Sequence, residues 1–138
     1  MRVVIDTNVF VSSFFGGNPR KVVDLWKTGA IALCLSKDIL EEYMEVLGRL
    51  GLIDEPEMRE LFDLFTHGPN IIFTSKTPDV HAIPADPDDD KFIACALALQ
   101  AEVVVTGDKA FAEVGSFGEI RITNPSRFLA DFGPKNPV

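Results

Sequence analysis

The sequence predicts one α/β domain, a three-layer α/β/α arrangement with a five-stranded parallel sheet. Three observations carry that prediction. The chain has 138 residues, enough for one sizeable hydrophobic core and too few for two independent ones. Short β-branched runs, Val3-Val4-Ile5 and Val103-Val104-Val105 above all, alternate with segments of helical pattern, which is the signature of βαβ units. With 46% hydrophobic and 25% charged residues, the composition is that of an ordinary globular protein rather than a disordered or fibrous one.

Along the chain, Arg2-Val3-Val4-Ile5 reads as a buried strand that stops at Asp6. The stretch around Gly16, Gly17 and Asn18 reads as a loop. Asn18 as N-cap and Pro19 at the first helical position then start a helix that runs to about Thr28. A second strand covers 30–35, and Ser36 caps a helix ending near Gly48. Asp54-Glu55-Pro56-Glu57 resembles a capping box and opens a helix reaching about Thr66. Residues 70–74 form a third strand. The segment 77–90, with Pro78, Pro84, Pro87 and aspartates at 86, 88, 89 and 90, is a loop by composition. An almost wholly apolar helix over 91–100 should be buried on most sides. Residues 102–106 form a fourth strand, followed by Gly107-Asp108 and a short helix to about Val114. Residues 119–123 form a fifth strand, and Asn124-Pro125 starts a last helix ending near Phe132. The domain is thus expected over 1–132, with 133–138 as a flexible tail.

Thirteen Lys and Arg against twenty-one Asp and Glu give a net charge of −8. That argues against a broad basic nucleic-acid footprint or an anionic membrane surface as partner, without excluding either. It leaves room for nucleic acid at a metal-loaded acidic site, where bound cations reverse the local field. The apolar stretch 3–15 contains Asp6, Asn8, Ser12 and Ser13, so it is neither a membrane span nor a signal-peptide core. Cys34 and Cys95 stand far apart in apolar surroundings and read as buried free thiols. His67 and His81 lack zinc-site spacing. Reduced thiols without a targeting signal point to the cytoplasm.

In an open α/β sheet, chemistry sits beyond the carboxyl ends of the strands. Asp6 follows the first strand and Thr106-Gly107-Asp108 follows the fourth, so both carboxylates should emerge at one edge. Asp90, at the start of the apolar helix, can face the same crevice. On the helix after Ser36, at about 100° per residue, Ile39, Leu40, Tyr43, Val46 and Leu47 share one face. Glu41 then points to water, while Glu42 falls at the boundary between core and solvent. Each acid also has a plain reading: Asp6, Asp90 or Asp89, and Asp108 as caps or turn residues, Asp86 and Asp88 as solvated turn residues, and Glu42 as a surface side chain. Together, converging Asp6, Glu42, Asp90 and Asp108 would cost several kcal/mol in repulsion and desolvation without a cation. An all-carboxylate set suits Mg²⁺ or Mn²⁺, and such a centre suits phosphodiester hydrolysis.

Four segments, Val4-Ile5-Asp6-Thr7-Asn8-Val9, Leu40-Glu41-Glu42-Tyr43-Met44-Glu45-Val46-Leu47, Asp86-Pro87-Asp88-Asp89-Asp90-Lys91-Phe92-Ile93 and Val105-Thr106-Gly107-Asp108-Lys109-Ala110-Phe111, together resemble the PIN-domain family. More narrowly they resemble the prokaryotic VapC-like toxins of toxin–antitoxin pairs. The resemblance implies a Mg²⁺- or Mn²⁺-dependent endoribonuclease with Asp6, Glu42, Asp90 and Asp108 as metal ligands and catalytic acids. Asn8 and Thr106 match positions that support the acids by hydrogen bonding. The run Asp86, Asp88, Asp89, Asp90 leaves the register of the third acid open. The resemblance further implies a homodimer held inactive by a small antitoxin. RNA phosphates would be met by basic residues at the rim: Lys91 and Lys109 beside the acids, then Arg20, Lys21 and Lys37, residues that are more often solvated surface charges. Two other readings compete. An aspartyl-phosphate phosphatase or receiver-like domain would want a second acid near Asp6, where Asn8 stands. A non-catalytic PIN-like module binding RNA or protein would not need four intact acids.

Overall fold

Strand β1, Arg2–Ile5, runs through the middle of the molecule, with Val3, Val4 and Ile5 fully buried, as a central strand of a parallel sheet covered on both faces must be. The computed structural model describes residues 1–68, 70–81 and 87–133. After β1 come α1 (Thr7–Ser12), a 3-10 turn (Ser13–Phe15) and α2 (Gly17–Lys27), then β2 (Ala32–Ser36) and α3 (Lys37–Arg49). Helix α4 (Pro56–His67) leads to β3 (Ile71–Thr74). A 3-10 turn (Pro87–Asp89) then opens α5 (Asp90–Leu99), followed by β4 (Val103–Val105) and α6 (Lys109–Val114). The hairpin of β5 (Ser116–Phe117) and β6 (Ile120–Thr123) precedes α7 (Pro125–Phe132).

The sheet order is β3-β2-β1-β4-β6-β5. All neighbouring pairs are parallel except β5 with β6. The chain moves outward from β1 through β2 to β3, then crosses back to place β4 on the other side of β1. The switch point therefore lies between the carboxyl ends of β1 and β4, where an open sheet forms its crevice. Helix α5 packs across β1, β2, β3 and β4, burying Phe92, Ile93, Ala94, Cys95 and Ala96; only its C-terminal half surfaces, at Leu97 and Ala98. An aromatic column runs Trp26, Phe65, Phe10, Tyr43, with ring centroids 5.5, 5.9 and 4.2 Å apart, locking α2, α4, α1 and α3 to one another.

The five expected parallel strands are present within one or two residues, and the alternating pattern is realised as a three-layer α/β fold. Five local departures have physical reasons. The sheet gains a sixth, antiparallel strand: β5 is two residues long, below any sequence period, and pairs Phe117 with Ile120. Gly118, at φ 58°, makes the turn and moves Glu119 out of the strand. Helix α1 was not expected, because Thr7-Asn8-Val9-Phe10-Val11-Ser12 is rich in β-branched residues; the Asp6 cap starts it. Helix α2 begins two residues early, capped at Gly16 rather than Asn18, with Pro19 still in the first turn, where its missing N–H costs no helix bond. Helix α4 takes Glu55 as its cap with Pro56 next and no side-chain cap bond, so the capping box does not form. The segment read as loop up to Asp90 already turns as a 3-10 helix at Pro87. Past Gly133 the expected tail lies outside the described residues, as do Pro84 and Asp86.

Cys34 and Cys95 are free and buried. Burial pushes their thiols up, to about 11 and about 12 respectively. Among the described residues no helix is long and apolar enough to cross a membrane.

Candidate acidic active site

Asp6 and Asp108 meet at the switch point because β1 and β4 pair in parallel, Ile5 opposite Val105. The Asp6 N–H extends the ladder by donating to the Val105 carbonyl at 2.9 Å. The Asp6 side chain is 3% exposed and surrounded by donors. Its Oδ1 accepts from the Val9 N–H at 2.9 Å, which caps α1. Its Oδ2 accepts from the Thr106 hydroxyl and, at 3.3 Å, from the Gly107 N–H. Burial pushes the Asp6 pKa above its ordinary 3.8; the three hydrogen bonds oppose the push, and the nearby charge of Asp108 adds to it. Thr106, fully buried, works in both directions, since its Oγ1 also accepts the Asp108 N–H at 3.0 Å. Asp108 caps α6 through Oδ1, which accepts from the Phe111 N–H at 3.2 Å. The capping reading of both aspartates is therefore correct and does not compete with a role in the cleft: capping is what holds each carboxylate at the end of its strand.

Glu42 comes from α3. It is half-buried while Glu41 is exposed, as the helical geometry predicts. The Thr7 hydroxyl donates to its Oε2, and the Lys91 ammonium donates to its Oε1 at 2.9 Å. The next residue fixes the helix: Tyr43, fully buried, donates its hydroxyl to the Ile5 carbonyl at the end of β1 and stacks on Phe10. Sequence pattern does not single out Thr7; its position directly after Asp6 is the available signal.

A cleft of about 230 Å³ is lined by Asp6, Thr7, Asn8, Glu42, Val46, Arg49, Asp88, Asp89, Phe92 and Asp108. Asp90 lines an adjoining cavity of about 450 Å³, together with Lys91, Asp38, Asp79 and His81. The 3-10 turn accounts for the difference, because it presents Asp88 and Asp89 to the cleft before α5 starts at Asp90. Asp89 takes the N-cap position of α5 without a side-chain cap bond. Of the residues expected to support the acids, Thr106 bonds Asp6. Asn8 lines the cleft from an exposed position, with no hydrogen bond to an acid among the described residues. The expected rim cations are dispersed. Lys91 is occupied by Glu42, Arg20 donates to the carbonyls of Ser13 and Phe14, and Lys37 stands 3.9 Å from Glu41. Lys109 and Lys21 are exposed and do not line the cleft. Arg49, which the sequence did not mark out, does line it.

Among the described residues no three His, Cys, Asp or Glu side chains are gathered closely enough to hold a metal ion as they stand. Glu42 is turned to Thr7 and Lys91, and like charges keep apart. The donor chemistry nonetheless fits a hard divalent cation, because every acid at the cleft offers carboxylate oxygen. Asp6 spends three of about four lone-pair positions on donors, and Asp108 spends one oxygen on its cap, leaving the other for a further ligand.

The family model of the PIN domain matches residues 2–110, from β1 to the start of α6, a span that contains all five acids of the cleft. An uncharacterized protein of Methanocaldococcus jannaschii is 28% identical over 146 aligned positions, covering 96% of this chain and 92% of that protein.

Proposed function

Because the chain belongs to the PIN domain family, whose members are generally nucleases, we propose that it is a Mg²⁺- or Mn²⁺-dependent endoribonuclease working at the acidic cleft. The observation that carries this reading is the convergence of Asp6 and Asp108 at the switch point of the sheet, with Glu42, Asp88 and Asp89 lining the same cleft. Asp6, Asp108 and an acid from the 88–90 run would hold the cation, with Glu42 completing the set; Asp88 and Asp89 are favoured over Asp90 by their place in the cleft. The cation would lower the pKa of a bound water and stabilise charge on the phosphoryl oxygens. The chain's own contribution is positional. Thr106 and the Gly107 N–H orient the Asp6 carboxylate, and Thr7 orients Glu42. No histidine lines the cleft among the described residues, which favours cation-assisted water attack over metal-free acid–base chemistry.

The test is incubation of the purified protein with structured RNAs in Mn²⁺ and in EDTA, beside Asp6→Asn. Cleavage in Mn²⁺ that is lost in EDTA and in the variant is the expected result. Cleavage that survives either treatment overturns the metal assignment, and no cleavage with retained RNA binding favours a non-catalytic module. The ordered motif set, which resembles that of VapC-like toxins, supports a finer reading: a toxin acting in a prokaryotic cytoplasm as a homodimer and silenced by a small antitoxin. Growth arrest on expression, absent for Asp6→Asn and relieved by a co-expressed small partner, is its test.

A further inference from the structure

We infer that Arg49 is the phosphate-binding residue of the cleft, gripping the backbone of a single-stranded RNA beside the nucleotide that is cut; the inference rests on the nuclease reading. An acidic cleft repels a polyanion, and cations bound by the acids neutralise only the reacting centre. The flanking backbone still needs a positive contact. Among the described residues Arg49 is the one cation that lines this cleft, and it has no hydrogen-bond or ion-pair partner there, whereas Lys91 is neutralised by Glu42.

Geometry supports the assignment. Glu42, Val46 and Arg49 follow one another at i, i+4 and i+7 on one face of α3, and all three line the cleft. Seven residues advance about 10 Å along a helix, so Arg49 is set along the cleft from Glu42 rather than beside it. The guanidinium fork suits bidentate contact with a phosphate. A basic residue in the last turn of a helix also complements its dipole. That role asks only for exposure at the helix end, which any face of α3 provides; it does not ask for a place in the cleft.

The test compares wild type, Arg49→Ala, Arg49→Lys and Arg59→Ala, the last removing an exposed arginine that lines a different cavity, on α4. KM and kcat are measured in Mn²⁺ on a single-stranded RNA, and affinity by fluorescence anisotropy on the same sequence with phosphorothioate linkages. The expected result for Arg49→Ala is a raised KM with kcat little changed. Its plot of log affinity against log salt becomes shallower by about 0.7, the value of one phosphate contact on a single strand. Arg49→Lys keeps the salt slope, and Arg59→Ala matches wild type. Unchanged KM and slope in Arg49→Ala, or an equal loss in Arg59→Ala, overturns the inference while the nuclease reading stands. Wild-type protein that neither binds nor cleaves RNA in Mn²⁺ overturns both.

Discussion

Lys91 Nζ lies 2.9 Å from Oε1 of Glu42, tying the first turn of α5 to the middle of α3. Both side chains are half-buried, with 24% and 27% exposure, so the pair is screened less than a fully exposed ion pair. Glu42 would otherwise face an acidic cleft with only the Thr7 hydroxyl for company. A coupling of about 1 kcal/mol is expected between the two, the upper end for exposed pairs. A double-mutant cycle of Lys91→Met and Glu42→Gln, read by urea unfolding, measures it. Strict additivity of the two single variants would show that the pair contributes nothing.

Thr106 holds two acids at once, donating to Asp6 and accepting the Asp108 N–H. Thr106→Val keeps the volume and removes both bonds, leaving a buried carboxylate oxygen and a backbone donor short of partners. The expected loss is about 1–3 kcal/mol, which for a chain of this size lowers Tm by about 4 °C per kcal/mol. Because the Thr106 bond pulls the Asp6 pKa down, its loss also raises the pH at which Asp6 ionises. Mn²⁺ binding should then require a higher pH than in wild type, and an unshifted pH profile would contradict the orienting role.

The buried cysteines allow a prediction independent of the cleft. Burial raises Cys34 to about 11 and Cys95 to about 12, so thiolate is scarce at pH 8 and the reagent has no path to it. In native protein neither should react with a disulfide reagent on a timescale of minutes. Two equivalents should react promptly in guanidinium chloride. Fast native labelling would show that α5 opens from β2 far more often than its packing allows.

Much of this molecule is legible from local pattern, and what is not follows a rule. The Val3–Ile5 and Val103–Val105 runs announce central strands, because only a strand covered on both faces tolerates unbroken β-branched residues. The acids beyond them are placed by topology alone. Glu42 is separable from Glu41 by helical geometry, since one residue of rotation moves a side chain from the core boundary to water. The third acid is harder. Asp88, Asp89 and Asp90 are consecutive, and which of them faces the cleft depends on where the 3-10 turn hands over to α5, a boundary of one residue. Helix α1 hides because a cap, not a period, starts it. Arg49 hides for another reason: a charged residue at a helix end carries no local mark that a cleft lies beside it.

The raised pKa of Asp6 makes a signed prediction. A carboxyl whose folded pKa lies above its ordinary 3.8 binds more protons in the folded than in the unfolded state over the window between the two values. Metal-free stability therefore loses this contribution as pH rises through that window, and the loss is complete above it. Asp6→Asn has no such ionisation. The stability difference between variant and wild type should move in the variant's favour as pH rises from about 4, measured in EDTA by urea unfolding. Removal of the charge also removes a ligand. At a hundredfold excess over its Kd, Mn²⁺ should stabilise wild type by about 2.7 kcal/mol and Asp6→Asn by much less. A difference between the two proteins that is flat with pH would mean that Asp6 titrates as an ordinary carboxyl. Equal stabilisation by Mn²⁺ would place the cation away from the end of β1.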